Sequence, residues 1–160
     1  MSIPNRYLPI ILSKKDYIKQ KNNILKSRKL YKKNIYYTRP KVPSFHSKPS
    51  KHIQNAEKIY NIKKILPNKE LSMKTGCSVK SLEKIVNKGR GAYYSSGSRP
   101  NQTAESWGIA RLASALTGGK SSIIDYDILY NGCKKNSKAL KMATKTCKKE
   151  KKCKKYTMKI

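Results

Sequence analysis

The chain has 160 residues, of which 37% are hydrophobic, and sets 38 lysines and arginines against 8 acidic residues, a formal net charge of +30. A compact state carrying that much like charge repels itself, so a polyanion is the expected partner: nucleic acid first, then an acidic protein or an anionic membrane surface. No apolar run approaches the roughly 18 residues of a membrane span, and the apolar patch Tyr7-Leu8-Pro9-Ile10-Ile11-Leu12 is too short for a signal core with a cleavage site. A soluble, intracellular protein without a membrane span is predicted.

The charge divides the chain into three. Residues 1–75 hold 19 basic and 3 acidic side chains, residues 76–133 hold 7 and 4, and residues 134–160 hold 12 and 1. All 8 glycines and the single tryptophan, Trp107, lie in the middle stretch, which therefore has the turn and packing residues of a folded unit. The expected fold class is all-α: a small helical domain with a helix-turn-helix-like core over 51–133. A basic helix and linker over 1–50 precede it, and a partly disordered lysine-rich arm over 134–160 follows.

Ser13 with Asp16 three residues on makes a capping-box-like start. Tyr17, Ile24, Leu25, Arg28 and Tyr31 then recur at helical spacing, predicting a basic amphipathic helix over 14–33. Pro40, Pro43 and Pro49 punctuate a stretch without apolar periodicity, which predicts an extended linker. Ser50 is placed to cap a second helix that carries Ile53, Ala56 and Tyr60 on one face.

From Leu71 the spacing becomes specific. A short helix over 69–74 ends where Gly76 supplies a left-handed residue, and Ser78 caps a longer helix that turns Val79, Leu82, Ile85 and Val86 inward. This is a helix-turn-helix pattern, although helical hairpins with a glycine turn also serve as plain scaffold. On duplex DNA the second helix would lie in the major groove, with Lys80, Ser81 and Lys84 at base edges and Lys88 and Arg90 on phosphates.

The stretch GRGAYYSSGSRPNQT, Gly89 to Thr103, follows a helix rather than a strand, which excludes the dinucleotide-binding βαβ reading. It is predicted to be a corner between helices, where Gly89 and Gly91 let the first helix end or be approached closely, Ser95 to Asn101 form a turn, and Thr103 caps the next helix. In a functional version of the corner, backbone amides around Ser95–Ser98, with Ser98 and Arg99, hold a phosphate, and Tyr93 or Tyr94 stacks on an unpaired base. Core packing is the competing role for these tyrosines.

The next helix, over 104–116, has Arg111 amid apolar residues, where pairing with Asp125 or Asp127 is expected. Gly118-Gly119-Lys120-Ser121 resembles the tail of a phosphate-binding loop, but Ser114 stands where that motif needs glycine, so ATP binding is not expected; Lys120 remains a candidate phosphate contact. The glycines read as a helix stop, followed by a Ser122–Asp125 capping box and a short helix ending at Gly132.

Cys77, Cys133, Cys147 and Cys153 include no Cys-x-x-Cys pair and are accompanied by only two histidines, His46 and His52, so no metal site is predicted. Free thiols in a reducing compartment are expected. The scattered acids suggest no nucleophile–base pair and no cofactor, and an enzyme is not expected.

The segments YLPIILSKKD, KSRKLYKKNIYYTR, KTGCSVKSLEKIVNKGRGAYYSSGSRPNQTAESWGIARLASALTGGK and IDYDIL together resemble an uncharacterised protein family of large DNA viruses, with shorter phage relatives of the central segment. The resemblance implies a viral setting and brings no assigned activity or site residue. With the charge, it leads to the expectation of a virion-associated DNA-binding protein that contacts phosphates with little sequence specificity. The alternatives are a structural protein of the virion interior, binding acidic surfaces of core or capsid proteins, and a DNA-processing enzyme of nuclease type.

Overall fold

A computed structural model describes residues 2–157, and the last residues of the expected C-terminal arm, 158–160, lie outside them. The described residues are helical, without a strand: α1 (Lys14–Tyr31), α2 (Lys51–Ile59), α3 (Lys69–Thr75), α4 (Val79–Ser95), α5 (Ala104–Leu116), α6 (Lys120–Ile124), α7 (Tyr126–Gly132), α8 (Lys138–Lys149) and α9 (Lys154–Thr157), preceded by a 3-10 turn at Asn5–Tyr7. The all-α expectation is met.

Two compact units take the place of three consecutive segments. One comprises the described residues up to Lys48 together with Gly89–Trp107; the other comprises Pro49–Lys88 and the described residues from Gly108 on. The division falls within α4 and within α5.

The unit containing α1 has an unusually polar interior. Ser13 caps α1 by accepting from the Asp16 amide (3.2 Å), as its spacing predicts. The buried face of the helix, however, is Asp16, Gln20, Ile24 and Ser27, whereas Tyr17 and Leu25 are exposed. Irregular backbone explains the inversion, because buried N–H and C=O groups of loops must find partners. Asp16 accepts from the Ser44 amide (2.8 Å), Gln20 Nε2 donates to the carbonyl of Tyr7, and Ser27 donates to that of Tyr94 (2.9 Å). Hydrogen bonding from the Ser44 hydroxyl and from its amide holds the pKa of the Asp16 carboxyl below its ordinary value.

The proline-punctuated segment is extended but pinned, and so is not a free linker. The Val42 amide donates to Asn101 Oδ1 (2.7 Å), while Asn101 Nδ2 donates to Phe45 O (2.8 Å). Val42 and Arg39 are both buried. Helix α4 continues through Gly89 and Gly91 to Ser95, so of the two roles expected of these glycines, ending the helix is not the one they take. Thr103 and Ser106 then cap α5 reciprocally, each amide donating to the other's hydroxyl at 2.9 and 3.0 Å.

The other unit encloses an apolar core built from Ala56, Tyr60, Leu71, Leu82, Ile85, Val86, Leu112, Leu116, Leu129 and others. Gly76 adopts the expected left-handed conformation (φ +77°), and Ser78 caps α4 by accepting from the Ser81 amide (3.2 Å). The turn they form is clasped by the chain between α7 and α8. The Ser78 amide donates to Gly132 O, the Lys134 amide donates to Gly76 O, both at 2.9 Å, and Cys77 is disulfide-bonded to Cys133. Gly108 marks the crossing of α5 over α4, where a β-carbon would lie 2.6 Å from Val86 O.

Two further expectations are corrected in this unit. The segment after Lys134 is not a disordered arm: Ser137 caps α8, which buries Ala139, Leu140, Ala143 and Cys147 in the core. These four recur at helical spacing, and burying them offsets the ordering of a lysine-rich chain. The short helices begin at Gly119 and divide at Asp125, because Ser122 donates back to Gly119 O (2.6 Å) instead of capping onward.

The thiols are also paired, as Cys77–Cys133 and Cys147–Cys153, and no described cysteine is free. A separation of 56 residues carries no pairing signal in the sequence; the clasp creates the proximity. Peptide mapping of the unreduced protein should recover these two linkages and no other, and four alkylatable thiols would contradict them. Gly108→Ala should lower unfolding stability by roughly 2 kcal/mol in urea titration, because the new methyl group overpacks a helix crossing.

Candidate nucleic-acid interface

Lys80 and Lys84 stand exposed on the first turns of α4. With Ser78 and Ser81 they line one side of a cavity of about 300 Å³, with Asp127 and Asn131 of α7 opposite. Ser81 is buried, its hydroxyl sits 2.8 Å from that of Ser78, and a β-carbon on Gly132 would fall on it. It therefore packs the α4–α7 contact, whereas the two lysines beside it reach solvent.

Lys88 and Arg90 have partners. Asp125 is fully buried and accepts from Arg111 Nε (2.8 Å) and a terminal guanidinium nitrogen (2.7 Å), the pairing expected for Arg111. Lys88 Nζ lies 3.5 Å from the same carboxylate, yet its side chain remains 49% exposed. Arg90 donates to Glu105 Oε2 through Nε (2.8 Å) and through a terminal nitrogen (2.5 Å) on the exposed surface of the other unit. Such an exposed pair costs little to open, about 1 kcal/mol or less.

The corner after α4 is built around a buried cation. Arg39 stacks on the Tyr93 ring, 3.8 Å from its centroid. It donates to Tyr93 O (2.7 Å), Ser27 Oγ (3.0 Å) and Ser98 Oγ (2.8 Å), and its backbone amide donates to the Tyr93 hydroxyl (3.0 Å). Burial lowers its pKa, yet a guanidinium ionises so far above neutrality that it stays charged.

Ser98 is consequently an interior residue, 1% exposed, whose hydroxyl accepts from Arg39 and donates to Arg99 O. The amides of Ser96 and Gly97 both donate to Ala92 O, closing the helix end. The corner thus commits these groups to internal hydrogen bonds, while Arg99 projects into solvent. Lys120 is likewise exposed, at the start of α6.

Of the eight candidate residues, Lys80 and Lys84 are brought together, Arg99 and Lys120 are exposed elsewhere, Lys88 and Arg90 are paired, and Ser81 and Ser98 are inside. Sequence reading missed the face of α8. Opposite its buried residues it exposes Lys138, Lys141, Lys145 and Lys148, spaced three or four apart, and Lys149 beside the last, with no carboxylate among them. The signal was present in the alternation of Ala139, Leu140, Ala143 and Cys147 with lysines, but the density of charge concealed it.

Among the described residues no helix is long and apolar enough to cross a membrane, and no group of three or more His, Cys, Asp or Glu side chains could hold a metal ion. Fold and surface together define a small, strongly cationic helical protein. It belongs to a family of unknown function, DUF5824, whose model matches residues 4–131. No curated protein and no solved structure matches it.

Removing the buried carboxylate with Asp125→Ala should cost roughly 3 kcal/mol of stability in chemical denaturation, because it leaves Arg111 unpaired in a largely buried position. A cost below about 1 kcal/mol would show that the pair is not integral to the fold.

Proposed function

We propose that the protein binds nucleic acid through its phosphates, with little sequence preference, as a virion-associated component of a large DNA virus. The observation that carries this reading is the lysine row of α8. A helix rises about 1.5 Å per residue, so the row from Lys138 to Lys149 extends about 16 Å. That length of duplex carries roughly nine phosphates. The row is fixed on a packed helix, so binding orders only the lysine side chains and not the backbone.

Lys80 and Lys84 on α4 add a second cationic feature in the same unit, after a helix-turn-helix-like turn at Gly76. Here they serve as phosphate contacts, and Arg99 and Lys120 contribute charge of the same kind. The resemblance to viral proteins supplies the setting, where a basic protein of this size neutralises packaged polyanion. The two disulfides favour assembly or storage outside a reducing cytosol, as in a released particle.

Anisotropy titration of duplex DNA across a salt series tests the reading. Affinity should fall with a log–log slope of about −0.9 per phosphate neutralised. Replacing Lys138, Lys141, Lys145 and Lys148 by glutamine should make that slope shallower by about 3 to 4, with helicity unchanged. Lys84→Glu should matter no more than one charge reversal on α8. A slope near zero, with tight binding to an acidic protein surface, would instead establish the scaffold role.

A further inference from the structure

We infer that the unit containing α1 carries a stacking site for an unpaired nucleobase, formed by Tyr31, Tyr36 and Tyr94. This rests on the nucleic-acid reading above and specifies the form of strand that this unit takes.

The site is assembled by the end of α1. The Asn34 amide donates to Tyr31 O (2.9 Å), the Ile35 amide donates to Leu30 O (3.0 Å), and Asn34 takes a left-handed conformation (φ +60°). The chain therefore doubles back, bringing Tyr36 beside the helix it has just left. The rings of Tyr31 and Tyr94 are nearly parallel (10°) with centroids 6.3 Å apart, while Tyr36 lies 5.2 Å from Tyr94 and 6.1 Å from Tyr31. Tyr93 meets Tyr94 edge-on at 5.1 Å and is itself fully buried, so it anchors the cluster from below.

The outermost ring packs on this cluster by one side and leaves most of its surface to solvent. Tyr36 is 66% exposed and Ile35 beside it 48% exposed, although either side chain would gain by burial. An exposed aromatic group backed by two further rings has the form of a platform for a flat apolar surface.

Charge selects which flat surface it accepts. Lys29, Lys32 and Lys33 flank Tyr31 in the chain and are all exposed. The carboxylates of this unit are Asp16 and Glu105, and both are engaged, with the Ser44 amide and with Arg90. A polyanion carrying planar groups matches both features at once. A base-paired duplex hides its ring faces in the helical stack, whereas a single strand offers them, and aromatic side chains beside lysines capture it by stacking.

The test compares labelled oligothymidylate with blunt duplex DNA of equal length, at one salt concentration, on the full chain. Tyr36→Ala should weaken oligothymidylate binding roughly tenfold. It should leave duplex binding and the salt slope unchanged, and Tyr36→Phe should retain wild-type affinity. Equal affinity of Tyr36→Ala and wild type for the single strand, or an equal loss on both polymers, would overturn the site. Binding of neither polymer by the wild type would remove the nucleic-acid reading itself, and this inference with it. Photocrosslinking of the unaltered chain to 5-iodouracil oligonucleotide gives a measurement independent of any variant's folding: adducts should map to Tyr31, Tyr36 or Tyr94, and adducts confined to other peptides would refute the assignment.

Discussion

The constraint on which everything else rests is the imbalance of 38 cationic side chains and 8 carboxylates. Internal pairing redistributes charge but leaves the net +30 untouched. Three of the carboxylates are engaged by the fold. Asp125 is buried under Arg111 and Lys88, Asp16 receives the amide of Ser44, and Glu105 meets Arg90. Arg39 is buried with none of the acids; three neutral oxygens and the face of Tyr93 take the place of a counter-ion. Neutral partners suffice because a guanidinium is weakly hydrated and its fixed fork of donors can be matched by carbonyls and hydroxyls.

The same constraint separates the two units by the character of their interiors. Where the chain supplies leucine, isoleucine and alanine at helical spacing, an apolar core forms, and lysines need only line its outside. Where it supplies prolines, asparagines and serines, ordering comes from side chains that satisfy loop backbone, as Gln20, Ser27 and Asn101 do. The polar unit is therefore held by directional bonds with definite geometry, a suitable mounting for exposed tyrosines. The apolar unit provides rigid helices on which rows of lysine are displayed.

The two proposed contacts divide the chemistry accordingly. In the proposed reading, lysines of α8 and α4 are the groups for phosphates, which all nucleic acids share, and the tyrosines at the end of α1 those for ring faces, which unpaired strands alone offer. Neither contact reads sequence, in keeping with a protein whose surface is dominated by flexible ammonium groups rather than by bidentate donors aimed at base edges.

By itself the sequence determined the helices whose signals are local. The serine caps at Ser13, Ser50 and Ser78, the left-handed stop at Gly76 and the threonine cap at Thr103 each depend on residues within a few positions of one another, and each is found where the spacing puts it. The pairing of Arg111 with Asp125 was also legible, because few acids stand near that arginine in the chain. What only tertiary structure decided depends on partners far apart in sequence. The polar face of α1 is chosen by loop backbone at Tyr7, Ser44 and Tyr94, and Cys77 meets Cys133 because two turns clasp each other. Tyr36 finds Tyr94 through a reversal at Asn34, and Ser98 is withdrawn from the surface by Arg39, 59 residues away. Short-range hydrogen bonds impose their geometry on adjacent residues, so they are written in the local order of the chain; which distant groups become neighbours is set by the packing of the whole.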